Sequence, residues 1–156
     1  MTDVRIRPAD PEEGARLREI AVAAKSHWGY DLERVERWAA DGDFSPEGLS
    51  EKEVYVAEAG GRAVGWASLI PRGEVCSLDD LWIEPGWIGK GVGSRLFRHA
   101  TGRARRLGAR VLEWEAEPHA VGFYERMGAR HLRASGPSAW GRVNPVMGLS
   151  LAEPAA

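Results

Sequence analysis

One stretch of the chain reads Glu84-Pro85-Gly86-Trp87-Ile88-Gly89-Lys90-Gly91-Val92-Gly93-Ser94, with alternating apolar residues before it and helical spacing after it. A glycine-rich turn between strand and helix can present backbone amides at a helix N-terminus to an anion. Glycine lets such a backbone take positive φ and come close to a diphosphate. A tight turn whose glycines serve geometry alone is the competing reading. Two nucleotide-loop patterns fit poorly. A Walker loop needs Gly-x-x-x-x-Gly-Lys-Ser/Thr, and here Lys90 precedes Gly91 and Gly93. A Rossmann fingerprint needs Gly-x-Gly-x-x-Gly after an early strand, whereas this run is Gly-x-Gly-x-Gly after three earlier ones. A second concentration of chemistry is acidic. Glu113, Glu115 and Glu117 alternate with Leu112, Trp114 and Ala116, so one face of a strand carries carboxylates. The histidines (27, 99, 119 and 131) are scattered and Cys76 stands alone, which gives no zinc-type cluster and no disulfide framework.

These groups need elements to place them. Val4–Arg7 alternates as a short strand, and Asp10-Pro11-Glu12-Glu13 has the signature of a helix start, giving a helix over 11–25. Asp31 is placed to cap a second helix carrying Leu32, Val35, Trp38 and Ala39, and 42–50 reads as a loop. Strands follow at 53–59 and 62–70 around Gly60-Gly61, then at 75–83. A helix over 91–107, a strand over 110–116, a short helix over 118–127, and strands at 129–134 and 146–151 complete the order. A hairpin meander followed by β-α-β predicts one α/β (α+β) domain over 1–151. Its sheet is mixed and mostly antiparallel, with helices on both faces, and a frayed tail covers 152–156.

At this point the glycine run resembles the GCN5-related N-acetyltransferase family, whose signature Arg/Gln-x-x-Gly-x-Gly/Ala bridges the fourth strand and the next helix. The matching residues are Ile88-Gly89-Lys90-Gly91-Val92-Gly93, with Ile88 where the family carries Arg or Gln. A second block, Ala120-Val121-Gly122-Phe123-Tyr124-Glu125-Arg126-Met127-Gly128-Ala129, is similar to the family's Ala-x-x-Phe-Tyr-x-x-x-Gly-Phe. The resemblance implies acetyl-CoA as co-substrate, no metal, and direct attack by an amine on the thioester. It implies that Ile88, Gly89, Lys90, Gly91, Val92, Gly93 and Ser94 hold the diphosphate, with His119 and Phe123 also touching the cofactor. It places a carbonyl-polarising amide within Leu81, Trp82 and Ile83, and makes Tyr124 the acid for the departing thiolate. An amine is mostly protonated at neutral pH, so a carboxylate base would help, and Glu113, Glu115 and Asp79 are the candidates. For Asp80 a salt bridge is the preferred reading, and for Glu117 a helix cap.

The same resemblance puts the acceptor amine between the first helices and the last loop. There Trp28, Tyr30 and Trp140 offer an aromatic pocket and Arg142 a partner for a carboxylate. A non-catalytic acyl-CoA-binding or sensing module is the alternative. Net charge is −2 over 156 residues, which gives no bulk reason to bind nucleic acid or an anionic membrane. The arginines at 95, 98, 103, 105 and 106 read as a solvated helix face. No apolar run reaches the ~20 residues of a membrane span, and no secretory signal opens the chain, so a cytoplasmic protein is expected. A homodimer through the last strands is the oligomer such folds allow.

Overall fold

In a computed structural model, residues 3–136 and 143–152 are described, and the element order is the one the sequence predicts with one addition. The strands are β1 (Val4–Pro8), β2 (Glu53–Ala59), β3 (Arg62–Arg72), β4 (Val75–Ile83), β5 (Val111–Glu115), β6 (Arg130–Ala134) and β7 (Pro145–Ser150). The helices are α1 (Gly14–His27), α2 (Leu32–Ala40), α3 (Pro46–Ser50), α4 (Val92–Arg106) and α5 (Val121–Arg126). The seven strands run in the order β1-β2-β3-β4-β5-β7-β6. β4 and β5 pair in parallel, while β1–β2, β2–β3, β5–β7 and β6–β7 are antiparallel. This is the mixed, mostly antiparallel sheet expected from the sequence.

Two compact units make up the chain, one from residues 1–69 with 80–100 and the other from 70–79 with 101–156. In the first, Asp10 and Glu13 form the expected box: Asp10 Oδ1 accepts from the Glu12 amide at 2.8 Å, and Glu13 Oε1 from the Asp10 amide at 2.7 Å. The first turn is 3-10, and α1 proper follows from Gly14. Leu17, Ile20 and Ala21 of α1 pack with Val54 and Val56 of β2 and with Ala63 and Trp66 of β3. The Trp66 indole completes that contact by donating to the Leu17 carbonyl at 2.9 Å. The opposite face of β3 receives α4. A Cβ on Gly65 would lie 3.2 Å from Leu96 Cδ1, 2.9 Å from Ile83 Cδ1 and 3.1 Å from the Trp82 carbonyl. Glycine at 65 therefore lets β3, β4 and α4 approach closely.

The second unit is built on β5. Leu112, Trp114, Ala116, Tyr124 and Met147 are buried there, with Trp114 opposite Met147 and Glu115 opposite Val146 in the β5–β7 register. The parallel pairing of β4 with β5 covers Val75–Ser77 against Val111–Glu113. Two expectations need correction. The predicted loop at 42–50 contains α3, capped by Ser45 Oγ, which accepts from the Gly48 amide at 3.1 Å. Asp31 holds the N-cap position of α2, but its side chain makes no cap hydrogen bond.

Candidate active site

In the first unit, the glycine loop closes onto the start of α4. Gly89 and Gly91 take φ of +80° and +82°, and around each the place of a Cβ is open space. The Gly91 carbonyl accepts the Arg95 amide at 3.1 Å, which makes Gly91 the N-cap. The amides of Val92, Gly93 and Ser94 therefore belong to the first turn, where no helical carbonyl precedes them. They point along the positive end of the helix dipole. Val92 is buried and anchors the turn, while Ile88, Gly89, Lys90 and Gly91 are exposed. The Lys90 ammonium sits 5.1 Å from the Trp87 ring centroid. A bare backbone with room beside it, helix amides and one lysine suit the diphosphate of coenzyme A. Ile88 brings no charge to this cradle.

Leu81, Trp82 and Ile83 end β4, and Trp82 is the centre of an aromatic group. Its ring meets Trp38 edge-on at 5.2 Å, and its Nε1 donates to Asp80 at 3.2 Å. Asp80 also accepts from Lys52 at 3.0 Å and from Ser68 Oγ at 2.5 Å, the salt bridge the sequence suggests. Lys25 was not singled out by the sequence. It is buried, with its ammonium 4.9 Å from the Trp38 ring, 5.2 Å from Tyr30 and 5.8 Å from Trp82. Its one clue was position, four residues after Ala21 on the buried stripe of α1. Tyr30 therefore faces a cation of the protein's own, and Trp28 packs edge-on against His27 at 4.9 Å. Trp140 and Arg142 lie outside the described residues. Arg95 and Arg98 are exposed, and Arg95 Nη1 donates to the Val4 carbonyl of β1.

In the second unit, β5 sorts the chemistry by parity. Tyr124 is buried against the face carrying Trp114, with ring centroids 4.8 Å apart, and Phe123 lies edge-on to it at 5.2 Å. Burial pushes the Tyr124 phenol well above its ordinary range, and the charge of Glu117 pushes the same way. In this state the hydroxyl is a firm hydrogen-bond donor that resists giving its proton away fully. Glu113 and Glu115 occupy the other face. Arg133 donates to Glu113 at 2.7 Å, and Asn144 Nδ2 donates to the exposed Glu115 at 2.8 Å. Glu117 sits at the N-cap of the 3-10 turn 118–120 without a cap bond. It lies instead 2.7 Å from Nδ1 of the exposed His119. Asp79 is exposed, two residues past the last β4–β5 pair. Asn144 was missed by sequence reasoning, since nothing local ties it to a glutamate 29 residues away.

Elsewhere in the first unit, a cavity of about 310 Å³ lined by Pro8, Pro46, Leu49, Lys52 and Tyr55 contains none of the candidate residues. Among the described residues there is no cluster of three metal-ligating side chains, and no helix is long and apolar enough to cross a membrane.

Comparison with known proteins supplies the frame for these groups. The model of the acetyltransferase (GNAT) family matches residues 14–129. The peptidyl-lysine N-acetyltransferase YjaB of Salmonella typhimurium is 31% identical over 94% of this chain and 97% of its own length. A GCN5-related N-acetyltransferase structure from Rhodopseudomonas palustris superposes with a TM-score of 0.80 at 28% identity, covering 96% of this chain and 97% of that one. The PaiA N-acetyltransferase of Thermoplasma acidophilum, solved with coenzyme A, has the same fold. Its TM-score is 0.79 at 18% identity, over 95% of this chain and 99% of that one. Two further curated relatives match in part, and the chain spans 39% and 45% of their lengths.

Proposed function

Because the chain belongs to the GNAT acetyltransferase family, we propose that it transfers an acetyl group from acetyl-CoA to a primary amine by direct attack in a ternary complex. The amine is that of a small molecule or of a peptide or protein, and the likeness to a peptidyl-lysine enzyme supports including the latter. The observation that carries this reading is the loop of residues 88–94. It joins positive-φ glycines, unobstructed backbone and the first amides of α4 to a single lysine.

Acetyl-CoA supplies an activated acetyl thioester and a sulfur that can leave. The chain's own residues do the rest. The amides of Gly89, Gly91, Val92 and Gly93, with Lys90, neutralise the diphosphate and fix the donor in place. A backbone N–H within 81–83 orients and polarises the carbonyl. Tyr124 donates a hydrogen bond to sulfur as negative charge develops there. Its dry surroundings favour sharing the proton over losing it outright. A carboxylate on the acceptor side takes the proton that keeps the amine from attacking.

The test is thiol release from acetyl-CoA across a panel of primary amines and lysine peptides. Thermal stabilisation by coenzyme A is measured beside it. Turnover with at least one amine is expected, together with a raised melting temperature. Ile88, apolar and exposed in the loop, favours a second reading of a coenzyme-binding module without catalysis. Stabilisation by coenzyme A with silence across the whole panel would select it. No stabilisation at all would sink both.

A further inference from the structure

The carboxylates named above are not equivalent. The charge of Glu113 is neutralised by Arg133 at 2.7 Å, and Glu117 faces His119 at 2.7 Å on the approach to α5. The Glu113 oxygen that Arg133 holds is already occupied, which leaves less of that carboxylate open to an incoming ammonium. Glu115 is exposed at the end of β5 and is held by a neutral amide, Asn144 Nδ2 at 2.8 Å. That contact orients the carboxylate without cancelling its charge.

Asn144 is itself fixed. Its carbonyl accepts the Ser135 amide at 2.8 Å, and its own amide donates to Ser135 Oγ at 3.0 Å, where β6 and β7 converge. Its side chain is oriented at a cost. With Nδ2 on Glu115, the Asn144 Oδ1 is buried and meets no hydrogen-bond partner among the described residues. Turning the amide round would set an acceptor against a carboxylate, so an ionised Glu115 dictates the orientation. Folded proteins seldom leave a buried acceptor unmet, and such a group calls for an explanation. Here it is the cost of holding Glu115. Glu115 also lies on the face of β5 opposite Trp114 and Tyr124.

We propose that Glu115 is the general base of the transfer and that Asn144 is the residue that positions it. The assignment rests on the acetyltransferase reading. An N–H bond of the acceptor ammonium breaks and its proton passes to the Glu115 carboxylate. The freed lone pair forms the C–N bond to the acetyl carbon while the C–S bond breaks, its electron pair leaving on sulfur. The nitrogen releases a second proton to water as the amide forms, and sulfur takes one through the Tyr124 hydroxyl, which water replenishes.

The experiment compares kcat and KM of the full chain with those of Glu115→Gln, Glu113→Gln, Asp79→Asn, Asn144→Ala and the Glu115→Gln/Asn144→Ala double variant. Glu115→Gln should lower kcat by about 100-fold with KM for acetyl-CoA unchanged, the scale of a lost general base. Glu113→Gln and Asp79→Asn should each lower kcat less than Glu115→Gln does, and a larger loss from either overturns the choice of Glu115. Asn144→Ala should lower kcat about tenfold in the wild-type background and add nothing in the Glu115→Gln background, as coupled neighbours do. An acceptor amine with a pKa below the assay pH arrives deprotonated, so for it the Glu115→Gln loss should shrink to about threefold or less. A merely structural role would not give that pattern. Full turnover by Glu115→Gln, or an undiminished Asn144→Ala loss on top of it, overturns this assignment while leaving acetyl transfer intact. Wild-type silence with every amine overturns the transfer reading and the assignment with it.

Discussion

Replacing Tyr124 by phenylalanine asks whether its hydroxyl is as dry as the structure places it. Burial, reinforced by the charge of Glu117, raises the phenol above its ordinary range. In the unfolded chain the same group titrates near pH 10. The folded state therefore keeps a proton that the unfolded state gives up. The sign follows: this stabilisation is complete below pH 10 and is lost as pH rises toward the folded value. Each pH unit above 10 costs the wild type about 1.4 kcal/mol, so at pH 11.5 the loss is roughly 2 kcal/mol. Tyr124→Phe has nothing to titrate at that site. Urea unfolding of both proteins at pH 8 and at pH 11.5 isolates the effect, because the other tyrosines and the lysines cancel in the difference. Between those conditions the stability gap should move about 2 kcal/mol in favour of the phenylalanine variant. An identical pH dependence in both would refute a buried, proton-retaining phenol. At pH 7 the same variant should lose at least about tenfold in acetyl transfer. A loss short of the full 10²–10⁴ of a general acid fits a donor that shares its proton.

Other perturbations probe the scaffold. Gly91→Ala meets no neighbouring atom but forces a side chain to φ +82°, so it should cost about 1 kcal/mol in thermal denaturation and weaken coenzyme A in calorimetry. Gly65→Val would press on Ile83 and on the Trp82 carbonyl, and should cost about 3 kcal/mol by urea unfolding. Glu13 is held below the usual carboxylate range, first by its hydrogen bond from Arg7 and also by the Asp10 amide. That stabilisation is present above the ordinary carboxylate pKa and lost as pH falls through the depressed one. Melting temperatures followed from pH 7 to pH 3 should therefore drop less steeply for Glu13→Gln than for the wild type.

What was legible in the sequence was what neighbours in the chain decide. The Asp10–Glu13 box, the Gly60-Gly61 hairpin, the period of β5 and the glycine loop are all set within a few residues. The short helix α3 could have been read from Ser45-Pro46, an N-cap followed by a first-turn proline. Gly48 argued for a loop instead. It is there because a Cβ would lie 2.3 Å from Asp43 Cγ, a packing reason that spacing does not carry. The partners of Glu113 and Glu115 come from β6 and from the residue before β7, and the rings around Lys25 from three separate segments. Such pairings exist only once the sheet and helices have brought distant residues together. Sequence therefore named the carboxylates but not which of them an arginine holds.

The two-residue period of β5 has a consequence for how such a protein can diversify. In the proposed transfer, Trp114 and Tyr124 are on the donor side of the strand, while Glu115 and Asn144 are on the other. On that assignment, substitutions among the residues that surround Glu115 would redraw which amines are accepted without disturbing the Trp114–Tyr124 packing on the other face. A lineage can thus explore new acceptors one mutation at a time while keeping its acetyl donor. A single-residue insertion in β5 has no such freedom, because it would exchange the two faces and misplace both functions at once.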